Sequence, residues 1–198
     1  MFPVGVYNVE DYPLNWIDGT YYSTYKGNTF QVSSIENVKS EAEYDAVTSI
    51  DLNTQSLTTD FTNTLLNKFD NLSTLYCLDN QISILDVSQL TSLTILRCQL
   101  NQISTLDVSQ LTSLTTLRCF NNQISVLDVS QLVNLIQLSC QNNQLDAAAN
   151  SQILIDLDAN GLSNGYLQSS IFGGGTLTAA GQTAKTNLLS KGWTIVGI

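Results

Sequence analysis

The chain has 198 residues, of which 43% are apolar and 12% are charged, as in a folded domain rather than a disordered segment. Seven basic residues face 17 acidic ones, and with no histidine the formal net charge is -10. This balance argues against nucleic acid as a partner, because a phosphate backbone is bound mainly by Lys and Arg. No apolar run approaches the roughly 18 residues of a membrane-spanning helix, so membrane insertion is not expected.

Residues 1–46 differ from the rest of the chain in their many aromatic side chains. Turn signals separate short aromatic and β-branched runs, at Asp18-Gly19 and Lys26-Gly27-Asn28, which favours antiparallel strands. We predict two or three strands, near Leu14–Ile17, Thr20–Tyr25 and Thr29–Val32, and then a helical turn or two within Ile35–Asp45. The segment either caps the following domain or docks onto another protein, since exposed tyrosines are good contact residues.

One pattern occurs four times between Leu72 and Leu145, at a spacing of 21 residues. The copies are LSTLYCLDNQI, LTILRCQLNQI, LTTLRCFNNQI and LIQLSCQNNQL, and LDVSQL recurs unchanged between them. A fixed period of this length is typical of a solenoid, in which each coil buries its apolar face against its neighbours. The template L-x-x-L-x-L-x-x-N-x-L is that of leucine-rich repeats, with Cys in place of the third Leu. A less regular first coil begins at Val47 and carries a predicted helix within Thr59–Leu72, so the repeats span residues 47–145.

The alternation Leu-x-Cys predicts one short strand per coil, stacked in parallel about 4.8 Å from the next. Cysteine side chains at the same position of successive coils would all point into the core, and parallel Cβ vectors do not make a relaxed disulfide. We therefore predict a ladder of buried, reduced thiols at Cys77, Cys98, Cys119 and Cys140. Their spacing is not that of a zinc site, and no histidine could complete one.

Two kinds of polar residue also recur once per coil. The asparagines that follow each strand are expected to hydrogen-bond backbone groups of their own coil and of the adjacent coil, at Asn80, Asn101, Asn122 and Asn143. The aspartates of LDVSQL would stack about 5 Å apart, at Asp86, Asp107 and Asp128. Either they accept backbone N–H groups and start the following turn, or a row of cations such as Ca²⁺ offsets their charge. We favour the first interpretation, because one carboxylate per coil supplies few oxygens.

After Leu145 the period breaks, and residues 146–198 are interpreted as degenerate repeats that cap the far end. The sequence predicts a helix at Ala147–Ala159, a strand at Gly165–Ser170, a second helix capped by Thr178, and a final strand at Trp193–Val196. The predicted fold class is therefore an α/β solenoid. It is a short, right-handed leucine-rich-repeat coil with a parallel concave sheet, an N-terminal β-hairpin cap and a C-terminal α/β cap.

The Cys of L-x-C and the linking LDVSQLTSLT resemble the leucine-rich repeats of internalin-J-like proteins and of many surface proteins of Bacteroidetes bacteria. The resemblance covers about residues 47–145 and includes all four cysteines and all four asparagines. It implies an adhesin or recognition protein without enzymatic activity or cofactor, whose partner is a protein or a surface glycan.

The sequences at both ends of the chain bear on its localisation. The tail, with ILIDLDANGLSNGYLQSS, resembles C-terminal segments of phage and surface proteins of the same bacteria. The N-terminal sequence MFPVGVYNVEDYP has no readable secretion signal. Together these features favour a bacteriophage virion component that serves a structural or host-recognition role. The alternative is an internalin-like adhesin at the bacterial surface or outside the cell.

The predicted binding surface lies on the outer face of the strands. The chain contains only two arginines, Arg97 and Arg118, and both occupy the same position of adjacent coils. Two guanidinium groups about 5 Å apart repel unless an anionic or aromatic group lies against them. Arginine beside aromatic residues is also typical of binding hot spots. We predict a carboxylate- or sugar-binding site, here named the arginine patch, formed by Tyr76, Arg97, Gln99, Arg118, Phe120 and Gln141. The alternative is that these side chains are solvated and stack on neighbouring rings.

No catalytic residue and no metal ligand is predicted. The chain has no histidine and no thiol outside the ladder. Gly173–Gly175 lacks the G-x4-G-K-[ST] pattern of a phosphate-binding loop. Asp156 and Asp158 lie two positions apart on a predicted helix, so they face different directions and do not form a carboxylate pair. The sequence therefore predicts a protein that is not an enzyme.

Overall fold

The computed structural model describes residues 48–53, 66 and 69–198, and the backbone of three strands within residues 14–32. Those strands form an antiparallel sheet in chain order, at β1 (Leu14–Ile17), β2 (Thr20–Tyr25) and β3 (Asn28–Val32). The three predicted strands are thus confirmed to within one residue. The helix predicted within Ile35–Asp45 lies outside the described residues, and the capping or docking role of residues 1–46 stays a prediction.

A second sheet of seven parallel strands forms the body of the repeats. Each strand pairs with the strand of the next coil, so the strands follow one another across the sheet in chain order. They are β4 (Ser49–Asp51), β5 (Thr74–Tyr76), β6 (Ile95–Arg97), β7 (Thr116–Arg118), β8 (Gln137–Ser139), β9 (Tyr166–Gln168) and β10 (Thr194–Val196). The sheet is open, with β4 and β10 at its two edges. The predicted solenoid with one parallel strand per coil is confirmed.

The core consists of columns of identical side chains, because the pairing register repeats every 21 residues. Leu96 pairs with Leu75 on one side and with Leu117 on the other, and all three are fully buried. Further buried columns come from LDVSQL and from the residue two positions after each ladder asparagine, which is Ile82, Ile103, Ile124 or Leu145. Each coil therefore buries its apolar side chains only against its neighbours, as expected for a solenoid.

The cysteines form the predicted ladder directly after the strands. All four thiols are free and fully buried. Burial raises the pKa of Cys77 and of Cys140 to about 12. Burial, together with the neighbouring thiols, raises the pKa of Cys98 and of Cys119 well above the ordinary value. The thiols are therefore neutral and serve as small apolar residues in the core.

The return side of each coil is made of tight turns. The N–H of Leu90 donates to the carbonyl of Val87, and the N–H of Leu93 donates to that of Leu90, each at 3.0 Å. The next coils repeat both bonds, at 2.9 to 3.0 Å. In the first coil Leu66 is helical and buried, in agreement with the helix predicted within Thr59–Leu72, most of which lies outside the described residues.

Two helices follow the regular repeats. Helix α1 (Ala147–Ala159) begins at Asp146, whose Oδ1 accepts the N–H of Ala149 at 2.8 Å. Helix α2 (Ala179–Ser190) begins at Thr178, whose Oγ1 accepts the N–H of Gly181 at 3.1 Å. The helices are those that the sequence predicts, and they link β8 to β9 and β9 to β10. They pack against each other and take the place of the tight turns on the return side of the last coils.

Candidate functional site

The arginine patch lies in two adjacent rows on the outer face of the parallel sheet. Strand pairing places Tyr76 beside Arg97 and Arg97 beside Arg118. The second row lies two residues further along the chain, where backbone hydrogen bonds continue the ladder. That row contains Gln99, Phe120 and Gln141. The structure therefore brings together all six residues that the sequence predicts.

An aromatic contact holds one of the two guanidinium groups. Arg97 Cζ lies 4.8 Å from the centre of the Tyr76 ring, within the range of a cation–π interaction. Tyr76 in turn separates Arg97 from Asp51, the next residue of the row. The Oδ1 of Asp51 accepts the N–H of Asn53 at 3.0 Å. In the described part of the chain neither arginine forms an ion pair, whereas Lys191 does, with Asp158.

Four polar atoms of the arginine patch are shielded from solvent and have no hydrogen-bond partner. They are Arg97 Nε, Arg118 Nε, Gln99 Oε1 and Gln141 Oε1. Gln99 as a whole is only 7% exposed. An unpaired buried polar atom costs about 1–3 kcal/mol, so native structures contain few of them. Within the described residues, every buried side-chain nitrogen or oxygen without a partner belongs to this patch.

The chemistry that the patch offers follows from these four atoms. Each arginine Nε is a donor that requires an acceptor, and each glutamine Oε1 is an acceptor that requires a donor. The two guanidinium groups also place two positive charges on an otherwise acidic protein. The patch therefore suits a ligand that carries an anionic acceptor close to neutral N–H or O–H donors.

The asparagine ladder has a structural role, as the sequence predicts. Asn101 Nδ2 donates to the carbonyls of Cys77 and Cys98, at 2.9 and 3.1 Å, and its Oδ1 accepts the N–H of Ile82 at 3.0 Å. Asn122 and Asn143 repeat the same three bonds one and two coils further on. Each amide thus joins its own coil to the preceding one and satisfies backbone groups that the irregular turn leaves unpaired.

The aspartates of LDVSQL bind the backbone two residues further on. The Oδ1 of Asp107 accepts the N–H of Ser109 at 2.9 Å, and the equivalent bonds at Asp86 and Asp128 measure 3.0 and 2.9 Å. Hydrogen bonds from Ser109 hold the pKa of Asp107 below its ordinary value. These bonds account for the recurring Asp-x-Ser pattern, so a bound cation is not needed to explain it. No group of three or more His, Cys, Asp or Glu residues that could hold a metal occurs among the described residues.

The two aspartates of α1 point to different surroundings, as the sequence predicts. Asp156 is buried and its Oδ1 accepts Gln152 Nε2 at 2.7 Å, and burial raises its pKa. Asp158 binds Lys191 Nζ at 2.6 Å and Asn187 Nδ2 at 2.8 Å. Burial opposes ionisation of Asp158, but these hydrogen bonds outweigh it and lower the pKa. The pair therefore does not form an acid–base site.

Two features of the coils were not found from the sequence. The residue before each ladder asparagine has a positive φ, of 56° at Asp79, 60° at Leu100, 54° at Asn121 and 57° at Asn142. The Asp and Asn residues at three of these four positions could have indicated the positive φ, because both residue types tolerate this conformation. The second feature is the burial of Gln99, for which the sequence offers no signal.

These features define a class of protein. Parallel strands at a period of 21 residues, a buried leucine column and an asparagine ladder are those of a leucine-rich-repeat solenoid. No helix in the described part of the chain is both long and apolar enough to cross a membrane. No protein family and no curated protein matches the sequence.

Two solved structures from Listeria monocytogenes have a similar fold. One is the functional domain of InlJ, which is described as including a cysteine ladder; it is 29% identical over 79% of this chain, with a TM-score of 0.55. The other is the internalin InlF, which is 26% identical over 65% of this chain, with a TM-score of 0.52. Each match covers 35% of the other protein's chain, so this chain spans about a third of their length. The fold is that of a leucine-rich-repeat solenoid and is similar to the folds of these two internalins, as the resemblance in the sequence implies.

Proposed function

We propose that this chain is a non-enzymatic recognition module that binds another protein through the outer face of its parallel sheet. It acts as part of an internalin-like adhesin at the cell surface or outside the cell. The observation that carries the proposal is the concentration of unpartnered buried polar atoms in the arginine patch. Each such atom in a native structure calls for an explanation, and a bound molecule that completes its hydrogen bonds supplies one. The structural similarity to two internalins supports the same class of function.

The composition of the outer face suits a protein partner. Arginine and aromatic residues are enriched in protein interfaces, whereas lysine is depleted. The rows of the arginine patch have this composition, and the described lysines, Lys185 and Lys191, lie in and after α2. Beside the patch lies a third row of half-buried side chains, Thr74, Ile95, Thr116 and Gln137, which extends the surface across β5–β8. Neither of the two similar structures is a phage protein, so the virion role expected from the sequence is not part of the proposal.

The test is a cell-binding assay with a variant that blocks the outer face. Fluorescently labelled protein is incubated with panels of animal and bacterial cells, and binding is measured by flow cytometry. Thr116→Trp adds a bulky ring to the outer face of β7 and is expected to weaken binding at least tenfold. Ser113→Trp makes a similar change on the exposed return side and is the matched control.

Treatment of the cells identifies the chemical class of the partner. Trypsin is expected to abolish binding, because the partner is a protein, whereas periodate, which oxidises sugars, leaves binding intact. Equal binding by Thr116→Trp and the parent protein would refute recognition through this face.

A further inference from the structure

We infer that the arginine patch binds a carboxylate side chain on an extended segment of the partner protein. The inference rests on the proposed function and deepens it, because it assigns the chemistry that the patch recognises. It makes Arg97 and Arg118 the residues that determine specificity, with Gln99 and Gln141 as acceptors for backbone N–H groups of the same segment.

The two arginines provide the anionic part of this recognition. Strand pairing places them on adjacent strands, so their side chains leave the sheet about 4.8 Å apart. Both Nε atoms are shielded from solvent, and both lack an acceptor. A carboxylate has two oxygens that accept N–H groups from a guanidinium in parallel. One carboxylate between the two side chains would pair both Nε donors and remove the repulsion between the charges.

The two glutamines provide acceptors on either side of Phe120. They lie on the coils of β6 and β8, two strand spacings or about 10 Å apart. An extended chain rises about 3.3 Å per residue, so three residues cover the same distance. An extended segment of a few residues therefore spans both coils. With Gln99 only 7% exposed, its Oε1 meets little bulk water in the free protein.

The overall charge distinguishes a protein segment from a charged polysaccharide. With a net charge of -10, the chain repels a polyanion as it approaches. Attraction by two arginines is screened beyond about 8 Å at physiological salt, so it acts only on a charge that is already close. A folded partner with one or two carboxylates at the contact is not repelled as a polyanion is, and it brings those carboxylates close to the arginines. Asp51 does not neutralise the pair, since Tyr76 lies between it and Arg97 in the register.

The experiment uses the arginine side chains themselves as reporters. Because the chain has only two arginines, a ¹⁵N spectrum contains two Nε–Hε resonances, and Arg97→Lys and Arg118→Lys assign them. The full chain is titrated with the peptide TVEVEVT, its neutral counterpart TVQVQVT, and trigalacturonate as an acidic sugar. We expect TVEVEVT to shift both resonances and to bind at least tenfold more tightly than TVQVQVT. Binding of trigalacturonate in preference to TVEVEVT would overturn the assignment to a protein segment.

A pair of double variants separates specific contact from net charge. Arg97→Gln with Arg118→Gln lowers the net charge from -10 to -12, and so does Gln110→Glu with Gln131→Glu on the exposed return side. The first variant is expected to lose at least tenfold in affinity for TVEVEVT, and the second to retain it. Equal affinity of both variants would overturn the inference. In the cell-binding assay, a loss with Thr116→Trp but not with the arginine double variant would overturn this inference and leave the proposed function standing.

Discussion

At the scale of single residues, each of the four regular coils contains one residue, directly before the ladder asparagine, with a positive φ that the repeat template does not specify. At three coils this residue is Asp or Asn, which tolerate the left-handed region, and at one coil it is Leu100. A left-handed conformation costs an ordinary L-residue roughly 1–2 kcal/mol. Leu100 is also 42% exposed, so its burial offsets little of that cost. The chain tolerates the conformation because the coils on either side hold the backbone.

Leu100→Asn is therefore expected to raise the free energy of unfolding by about 1 kcal/mol, since it relieves this strain. Urea denaturation measures the change. The reverse substitution Asn121→Leu is the matched control and should lower stability by at least as much, because Asn121 Oδ1 also accepts Asn142 Nδ2 at 2.8 Å. A decrease in stability with Leu100→Asn would contradict this account.

The buried thiols predict a loss of stability at alkaline pH. Burial raises the pKa of Cys77 and of Cys140 from 9.0 to about 12, whereas the unfolded chain keeps the ordinary value. Between pH 9 and 12 the folded state binds more protons than the unfolded state, so the free energy of unfolding falls as pH rises. Each thiol contributes about 1.4 kcal/mol per pH unit in that range, and nothing below it.

The measurement is urea denaturation at pH 8 and at pH 10 in the presence of a reducing agent. The parent chain should lose stability between the two pH values. Cys119→Ala, which removes one thiol of the ladder, should lose less. An identical loss in both proteins would show that the thiols are not the cause.

At the scale of secondary structure, the strands are too short to be stable alone, and hydrogen bonds between coils hold them. Each strand of the parallel sheet has three residues, and the asparagine ladder extends the pairing into the following turn. At the C-terminal end the cysteine column continues as Ser169, whose Oγ lies 3.3 Å from Cys140 Sγ. That hydroxyl donates to Asn150 Oδ1 at 2.6 Å, so α1 is joined to the end of the ladder.

Asn150→Leu is expected to lower the free energy of unfolding by about 3 kcal/mol. The Nδ2 of this fully buried residue donates to the carbonyls of Leu145, Asp146 and Ser170, which the substitution leaves without these bonds. Thermal and urea denaturation measure the loss. Ala148→Leu, at an exposed position of the same helix, should change stability by less than about 0.5 kcal/mol. Equal effects of the two substitutions would contradict a structural role for Asn150.

At the scale of the whole molecule, stability is distributed along the chain, because each coil contacts only the coils beside it. The regular coils have the same length and the same buried columns. One coil can therefore be removed without any change in how the remaining coils stack, provided that the period of 21 residues is preserved.

Deletion of residues 99–119 removes one whole coil and joins Cys98 to Phe120 in phase. This variant is expected to fold cooperatively, with a lower free energy of unfolding and a smaller dependence on urea, because less surface is buried. Circular dichroism and urea denaturation measure both properties. Deletion of residues 99–118, one residue fewer, joins Cys98 to Cys119 and leaves an extra residue between the strand and the ladder asparagine of that coil, so this variant should be less stable. Equal stability of the two deletion variants would contradict the stacking register.

The sequence by itself determined the parallel strands, the cysteine ladder, the asparagine ladder and the adjacency of Arg97 and Arg118. The physical reason is that a fixed period makes identical positions stack, so contacts that are distant in the chain become readable as local pattern. Helices α1 and α2 were predicted for a similar reason, since their caps, including Thr178, lie within a few residues of the helices they begin.

Only the tertiary structure decided the burial of Gln99, the missing partners of the two Nε atoms and the strain at Leu100. Each of these depends on which atoms the adjacent coil places around a side chain or a turn, and the repeat pattern does not specify side-chain conformation. The same holds for Asn150, whose Nδ2 donates to the carbonyl of Leu145, before α1, and to that of Ser170, after β9. The period fixed which residues are neighbours, and packing decided which of their polar atoms were left without a hydrogen-bond partner.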